Sequence, residues 1–292
     1  MNLRSRKTLV FWTFVTPILL FYTLFFIIPF MMGAMYSFTD WDGVNDRFHF
    51  VGLDNYMKIA ADSRFLHSAR FTFSYSALFT FFVNAFALMA ALLLNMKLRT
   101  RNFLRGLLFA PNILNLVTIG FVWQFILGTL TSDLFLKTGW PIFEISFLND
   151  KDHVLFSVTF IRVWQAMGYF MVIYLAGLQM IPADIREAAI VEGAGKWIMF
   201  KRITFPLLLP ALNVCVFISL IQALRIFPVL LTLTGGGPGY ASESIALNIY
   251  RTGFEYNLYG YSSAKAIFYS FIIFLVSTLQ YFTIKRKEAG LS

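Results

Sequence analysis

Three histidines, His49, His67 and His153, are the side chains best placed to move a proton near neutral pH, and they lie scattered in polar stretches. None has a His or Cys neighbour at metal-ligand spacing, and no Ser-His-Asp arrangement can be built from them. Residues 235–239 are glycine-rich but lead into neither Lys-Ser nor Lys-Thr, so they do not read as a phosphate loop. No catalytic residue and no metal ligand is therefore assigned. What remains is recognition chemistry. Arg162, Gln165 and Tyr169 recur at i, i+3 and i+7 with Trp164 alongside, and Ser219, Gln222 and Ile226 repeat that spacing with Arg225 adjacent. On helices, each set lines one face with polar or aromatic groups.

The elements that must carry those faces are written in the composition. The chain is 58% hydrophobic and 18% aromatic with only 13% charged residues, far from an ordinary soluble domain. Stretches 8–39, 71–96, 106–132, 163–183, 203–224 and 266–284 contain no Asp, Glu, Lys or Arg. Each is close to or above the roughly 20 residues that a helix needs to cross a bilayer. The expectation is an all-α integral membrane protein of six helices, over residues 9–37, 71–97, 104–130, 154–181, 203–231 and 265–285, forming one domain across 1–292. The first stretch is too long for a signal-peptide core and lacks a small-x-small cleavage site, so it reads as a retained helix. Pro17, Pro29 and Pro111 fall inside spans and read as tolerated kinks. Lone Cys215, in an apolar run, reads as a small buried hydrophobe.

The net charge of +9 is a topology signal. Arg4, Arg6 and Lys7, then Lys97, Arg99, Arg101 and Arg105, then Arg186, Lys196, Lys201 and Arg202, then Lys285, Arg286 and Lys287 flank the spans on one side. Asp40, Asp42, Asp46, Asp54, Asp62, Asp133, Glu144, Asp150, Asp152, Glu243 and Glu255 gather on the other. Cations stay on the cytoplasmic side, which puts both termini and the 182–202 loop inside. Cations so placed answer the bilayer, not nucleic acid.

That 182–202 loop is a basic segment between two apolar runs. Pro182 suits a helix start, and Asp184 or Glu187 near it complements the helix dipole. Residues 183–192 read as one short helix, Gly193-Ala194-Gly195 as a turn, and Lys196 to Arg202 as a second helix. Glu187, Ala188, Ala189, Gly193, Ile203 and Pro206 stand at the spacing Glu-Ala-Ala, three residues, Gly, nine residues, Ile, two residues, Pro, with Phe205 where Leu is usual. This resembles the loop by which membrane subunits of ATP-binding-cassette (ABC) importers grip their ATPases, within the type I importer permease fold. The resemblance implies a helix-turn-helix coupling element, in which the small side chains of Ala188, Ala189, Gly193, Ala194 and Gly195 allow close approach.

Further runs are similar to the carbohydrate-importer permeases over nearly the whole chain. They are Gly52-Leu53-x-Asn55-Tyr56, Val163-Trp164-Gln165 with Gly168-Tyr169, Ala176-Gly177-Leu178-Gln179, and Thr232 through Pro238 followed by Tyr250 and Phe254. The last fits the maltose-permease-like member of the pair, here a six-helix form without extra helices. The resemblance implies a second homologous permease, two ABC ATPases that hold the ATP and magnesium, and an extracytoplasmic solute-binding protein. No cofactor is expected on this chain. Sugars bind through aromatic faces and planar polar groups, and Tyr169 and Ser219 match sugar-contacting positions in maltose permeases. Arg162 and Arg225 are cations inside spans. They either meet an acidic sugar or a glycerol phosphoester, or snorkel and pair with loop carboxylates. An ion-gradient carrier would need intramembrane carboxylates, and the six stretches contain none.

Overall fold

The computed structural model describes residues 3–45, 47–96, 99–140 and 146–289, with side chains over 11–282. Asp46, Lys97, Pro141 and Glu144 lie outside the described residues, as do the side chains of Arg4, Arg6, Lys7, Lys285, Arg286 and Lys287. In chain order the helices are α1 (Leu3–Tyr22), α2 (Ile28–Tyr36), α3 (Asp54–Ala61), α4 (Ser63–Leu94), α5 (Arg101–Ile113), α6 (Leu116–Gln124) and α7 (Thr131–Thr138). They continue with α8 (Val154–Gln179), α9 (Ala183–Val191), α10 (Lys196–Met199), α11 (Phe205–Leu207), α12 (Leu209–Leu224), α13 (Pro228–Leu233), α14 (Ile245–Tyr250) and α15 (Tyr259–Ala289). Wider π turns join α1 to α2, α6 to α7 and α10 to α11. Among the described residues there is no strand. Five helical segments among the described residues are long and apolar enough to cross a membrane, and the bent pair Lys196–Leu207 and Leu209–Leu224 makes a sixth when taken as one span.

Three of the expected spans differ in detail. The second begins earlier, at Ser63, because the polar residues before position 71 continue the helix. The third is interrupted. Pro111 closes α5, Leu114 and Asn115 are extended, and the Asn115 side chain accepts from the Val117 N–H at 2.9 Å to start α6. The fifth bends by 65° at Leu208, between Pro206 and Pro210, and ends at Leu224 with Pro228 opening α13. Pro29 likewise follows the π turn Thr23–Ile27, where its ring has no room over the preceding turn of an α-helix.

The described residues fall into two compact units, one within 1–62 and 249–271, the other within 63–248 and 272–292. In the first, Gly52 has φ +59, which a side chain would strain. The turn it makes presents Asn55, whose amide donates to the Ser37 and Thr39 carbonyls at 3.0 and 2.8 Å. Tyr56 bonds Ser37 Oγ at 2.7 Å. The Gly-Leu-x-Asn-Tyr run is thus a brace for the end of α2. Lys265, at the start of α15, is 3% exposed and pairs with Asp62 at 2.8 Å.

The second unit is built on α4 against α8. Phe71, Tyr75, Phe79, Val83, Ala87 and Ala91 recur every fourth residue and are all buried, so one stripe of α4 is core. Val154, Val158, Ile161, Phe170 and Tyr174 of α8 are also fully buried. Gly168 lets the α5 backbone cross at Leu108, where even a methyl group would overlap the Leu108 carbonyl. At the end of this unit where α4 begins, Glu243 is wholly buried and accepts from Arg64 Nη2 at 2.6 Å and Asn248 Nδ2 at 2.6 Å. Arg64 lies flat over Tyr240, 3.8 Å from its ring centre. This clamp ties the segment after α13 to the start of α4.

Removing one partner of a buried pair strands the other charge. Glu243→Ala is expected to cost about 3–5 kcal/mol of stability, whereas Arg64→Leu with Glu243→Leu recovers most of that loss. Thermal midpoints of the three proteins in one detergent check this, and a double variant as unstable as Glu243→Ala would refute the clamp.

Candidate functional site

Two groups of residues bear on function: the loop 182–202 with its sequel, and the two polar faces on α8 and α12. The loop is a helix, a turn and a second helix. Pro182 precedes α9 with Asp184 in its first turn. α9 ends at Val191, with Glu192 as its cap, and Gly193 takes φ +79. There the Ala194 N–H reaches back to the Ala189 carbonyl at 2.9 Å, closing the helix end through a left-handed residue. Gly195 is extended and opens α10, which gives way after Met199 to a π turn through Lys201 and Arg202.

Glu187, Ala188, Gly193 and Gly195 are exposed, Ala194, Ile203 and Pro206 are half-buried, and Ala189 is buried. A Cβ added at Gly193 or Gly195 would meet nothing within 4 Å. The loop also exposes apolar side chains: Ile190, Val191 at 87% exposure, and Trp197 at 71%, the last with its ring 6.0 Å from that of Phe200. Large exposed apolar groups beside a carboxylate and a bare backbone turn mark an interaction surface, for another protein or for the membrane. The sequence pattern located the loop by its fixed positions, yet these apolar contacts were not picked out. Their signal was present as Ile, Val and Trp in an otherwise polar, basic segment.

On α8, Arg162 and Gln165 come together as the spacing predicts. Both are buried, the Arg162 guanidinium donates to Gln165 Oε1, and its carbon lies 5.6 Å from the Phe79 ring centre. Trp164 turns outward and packs edge-on to Trp123, with 5.5 Å between ring centres. Tyr169 is half-buried against Phe170 at 5.2 Å.

The α12 set does not share one face. Ser219 is fully buried, Gln222 and Arg225 are exposed, and Ile226 is buried beyond the helix end at Leu224. The helical spacing fails at Ile226 because the chain leaves the helix at Arg225, ahead of Pro228. Ser219 is taken up by a network the sequence reading missed. Tyr174 Oη donates to Asn84 Oδ1 at 2.7 Å, and Asn84 Nδ2 donates to Ser219 Oγ at 2.9 Å. A lone Asn inside an apolar span was the available signal. Two of the histidines serve their own loops, whereas His67 lies on α4. His49 lies 3.3 Å from Asp40, and His153 lies 2.7 Å from Asp150. Backbone N–H groups, of His49 and Asp152 respectively, hold those two carboxyls below the usual carboxylate range.

Comparison with known proteins places this geometry. A family model described as binding-protein-dependent transport system inner membrane component matches residues 83–288, which include the loop and both polar faces. A probable starch degradation products transport system permease protein, AmyD of Thermoanaerobacterium thermosulfurigenes, is 35% identical over 280 residues, covering 95% of this chain and 94% of that protein. The trehalose/maltose transport system permease protein MalF of Thermococcus litoralis is 31% identical over 291 residues, covering 98% and 96%. By fold, the chain matches the crystal structure of a bacterial ABC transporter involved in the import of the acidic polysaccharide alginate. The TM-score is 0.83 at 20% identity, over 96% of each chain.

Proposed function

The chain belongs to the family of binding-protein-dependent transport system inner membrane components, and from that premise we propose that it is one of two membrane subunits of an ATP-driven sugar importer. The substrate class is an oligosaccharide, in keeping with starch products and trehalose or maltose in the relatives' names. The observation that carries the reading is the exposed helix-turn-helix at 183–199, with Glu187, the bare Gly193 turn and exposed Ile190, Val191 and Trp197. A second, homologous permease completes the pathway, and two ABC ATPases bind ATP and magnesium and seat on this loop. An extracytoplasmic solute-binding protein delivers substrate. This chain carries no cofactor, no metal and no catalytic group. It sits in the bacterial cytoplasmic membrane as a multi-pass protein with both termini inside, the side on which its basic loops lie.

Closure of the ATPases moves α9. The Gly193 turn and α10 pass that displacement to the bent helix pair, whose 65° break at Leu208 separates a cytoplasmic arm from α12. Rotation of α12 and α8 then alternates access to residues drawn from Trp164, Gln165, Tyr169, Ser219, Gln222, Arg225 and Ile226. The conformation described keeps Ser219 inside the Asn84 network and Gln222 at the surface. On this reading Gln222, Arg225 and Tyr169 face the pathway directly, while Ser219 reaches it only if the network opens.

One observation favours a second reading, an acidic oligosaccharide or a glycerol phosphoester on the same scaffold. Arg162 is 6% exposed with no carboxylate partner among the described residues, and its Nε has no hydrogen-bond partner. A buried cation whose neighbours are the Gln165 oxygen, the Tyr75 hydroxyl and the Phe79 ring, all of them neutral, leaves positive charge for an anion to neutralise.

A mild-detergent pull-down of the tagged chain from its native membrane, followed by mass spectrometry, is expected to recover an ATPase and a second permease. Glu187→Lys is expected to insert normally, lose the ATPase and cut uptake roughly tenfold or more, the scale of a lost docking anchor. Recovery of the chain alone across several detergents would refute the importer reading. Competition of neutral against acidic oligosaccharides for uptake by the unaltered transporter separates the two substrate classes. Arg162→Gln should then abolish transport of the acidic class alone, and equal loss for neutral sugars would make Arg162 structural.

A further inference from the structure

A cavity of about 260 Å³ lies behind the coupling loop, between it and the ends of α4 and α8. Its walls are of two kinds. Leu92 of α4, Leu178 of α8 and Phe200 after α10 give an apolar wall, while Asn95, Arg186 and Lys196 supply an amide and two cations. No carboxylate lines it, and neither cation has an ion-pair partner among the described residues. The other two cations of the loop, Lys201 and Arg202, are exposed and do not line the cavity.

We propose that this cavity holds an anionic phospholipid, with its phosphate on Arg186 and Lys196 and the start of an acyl chain along Leu92, Leu178 and Phe200. The inference rests on the orientation given above, which puts the ends of α4 and α8 at the inner headgroup layer. A free phosphate answers the cations but leaves the apolar wall wet. A neutral lipid covers the wall but leaves the cations unmatched. An anionic amphiphile satisfies both, and basic pockets between helix ends on the cytoplasmic side are where such headgroups collect. Because the cavity is walled by α10 and by Arg186 of α9, an occupant would brace the coupling loop against the spans it moves. Lipid charge would then set how stiffly that loop is coupled.

Native mass spectrometry of the tagged chain, extracted with whatever subunits accompany it and supplied with phosphatidylglycerol, tests this. Unaltered protein is expected to retain one phosphatidylglycerol in preference to phosphatidylcholine. Arg186→Gln with Lys196→Gln should lower that retention by roughly tenfold or more, the scale of two cations beside an anionic headgroup. Lys201→Gln with Arg202→Gln should retain it. Undiminished retention in the first pair, or equal loss in both pairs, overturns the site in favour of general surface charge. Displacement of the lipid by millimolar inorganic phosphate also overturns it, since the cavity would then be a soluble-anion site. Failure to recover an ATPase would refute the importer reading while leaving the lipid count readable.

Discussion

A chain inside hydrocarbon must satisfy every backbone N–H and C=O from within itself, since no water is there to accept or donate. That requirement makes the fold helical, and it also determines where helices are allowed to stop. At Leu114 and Asn115 the chain leaves the helix, and the Asn115 side chain caps the next one. At Leu208 the chain bends by 65°, yet the Leu208 N–H still finds the Thr204 carbonyl at 3.0 Å. Past Leu224 the Ile226 carbonyl accepts from Ser244 Oγ at 2.8 Å. Each interruption comes with a substitute partner, so each is a built feature of the fold. Two of them, at Leu208 and at Arg225, bracket the helix that carries the candidate substrate residues Ser219 and Gln222.

The same constraint explains the polar residues left in the apolar interior. Asn84 has four hydrogen-bonding positions to fill, and Tyr174, Ser219 and the Thr80 carbonyl fill three of them. One amide therefore links α4, α8 and α12. In hydrocarbon such a link is specific, because sliding any one helix strands a polar group. Glu243 plays the corresponding part at the start of α4, where Arg64, Ser68 and Asn248 all turn to it. Packing alone would hold these helices together in several registers, and the polar pairs select one.

The legible parts of the molecule were those fixed by local period. Charge-free stretches announced helices, because a helix of hydrocarbon length is the only structure such a stretch supports on its own. The helix, turn and helix at 183–199 followed from Pro182 and the glycine pair, whose meaning is conformational and therefore local. The Asn84 network was illegible because its members are separated by 90 and 135 residues, and no period links them. Glu243, 179 residues from its partner Arg64, was read only as one of the acidic residues on the outer side for the same reason. The end of α12 is a different case. Pro206, Pro210 and Pro228 stood in plain view within the expected span 203–231, and their combined weight was enough to break it. Reading Ser219 through Ile226 as one helical face assumed a helix that these prolines forbid.

On the proposed reading, the small residues of the 182–202 loop and the bend at Leu208 belong to one coupling device. A docking helix transmits force only if the partner grips it without flexing its side chains, and Ala188, Gly193 and Gly195 leave no long side chain to yield. Exposed Ile190, Val191 and Trp197 supply the apolar area that holds the grip. The far end of the device must then convert displacement into rotation, and a straight helix would instead transmit it as a push along its axis. With the break at Leu208, the arm from Lys196 and the body of α12 meet at 65°. On the proposed reading, a shift of the arm turns α12 about the buried Ser219–Asn84 contact instead of driving it through the membrane. On the same reading the polar network is the pivot, and Gln222, about one turn beyond Ser219, and Arg225, just past the helix end, sweep the widest arc.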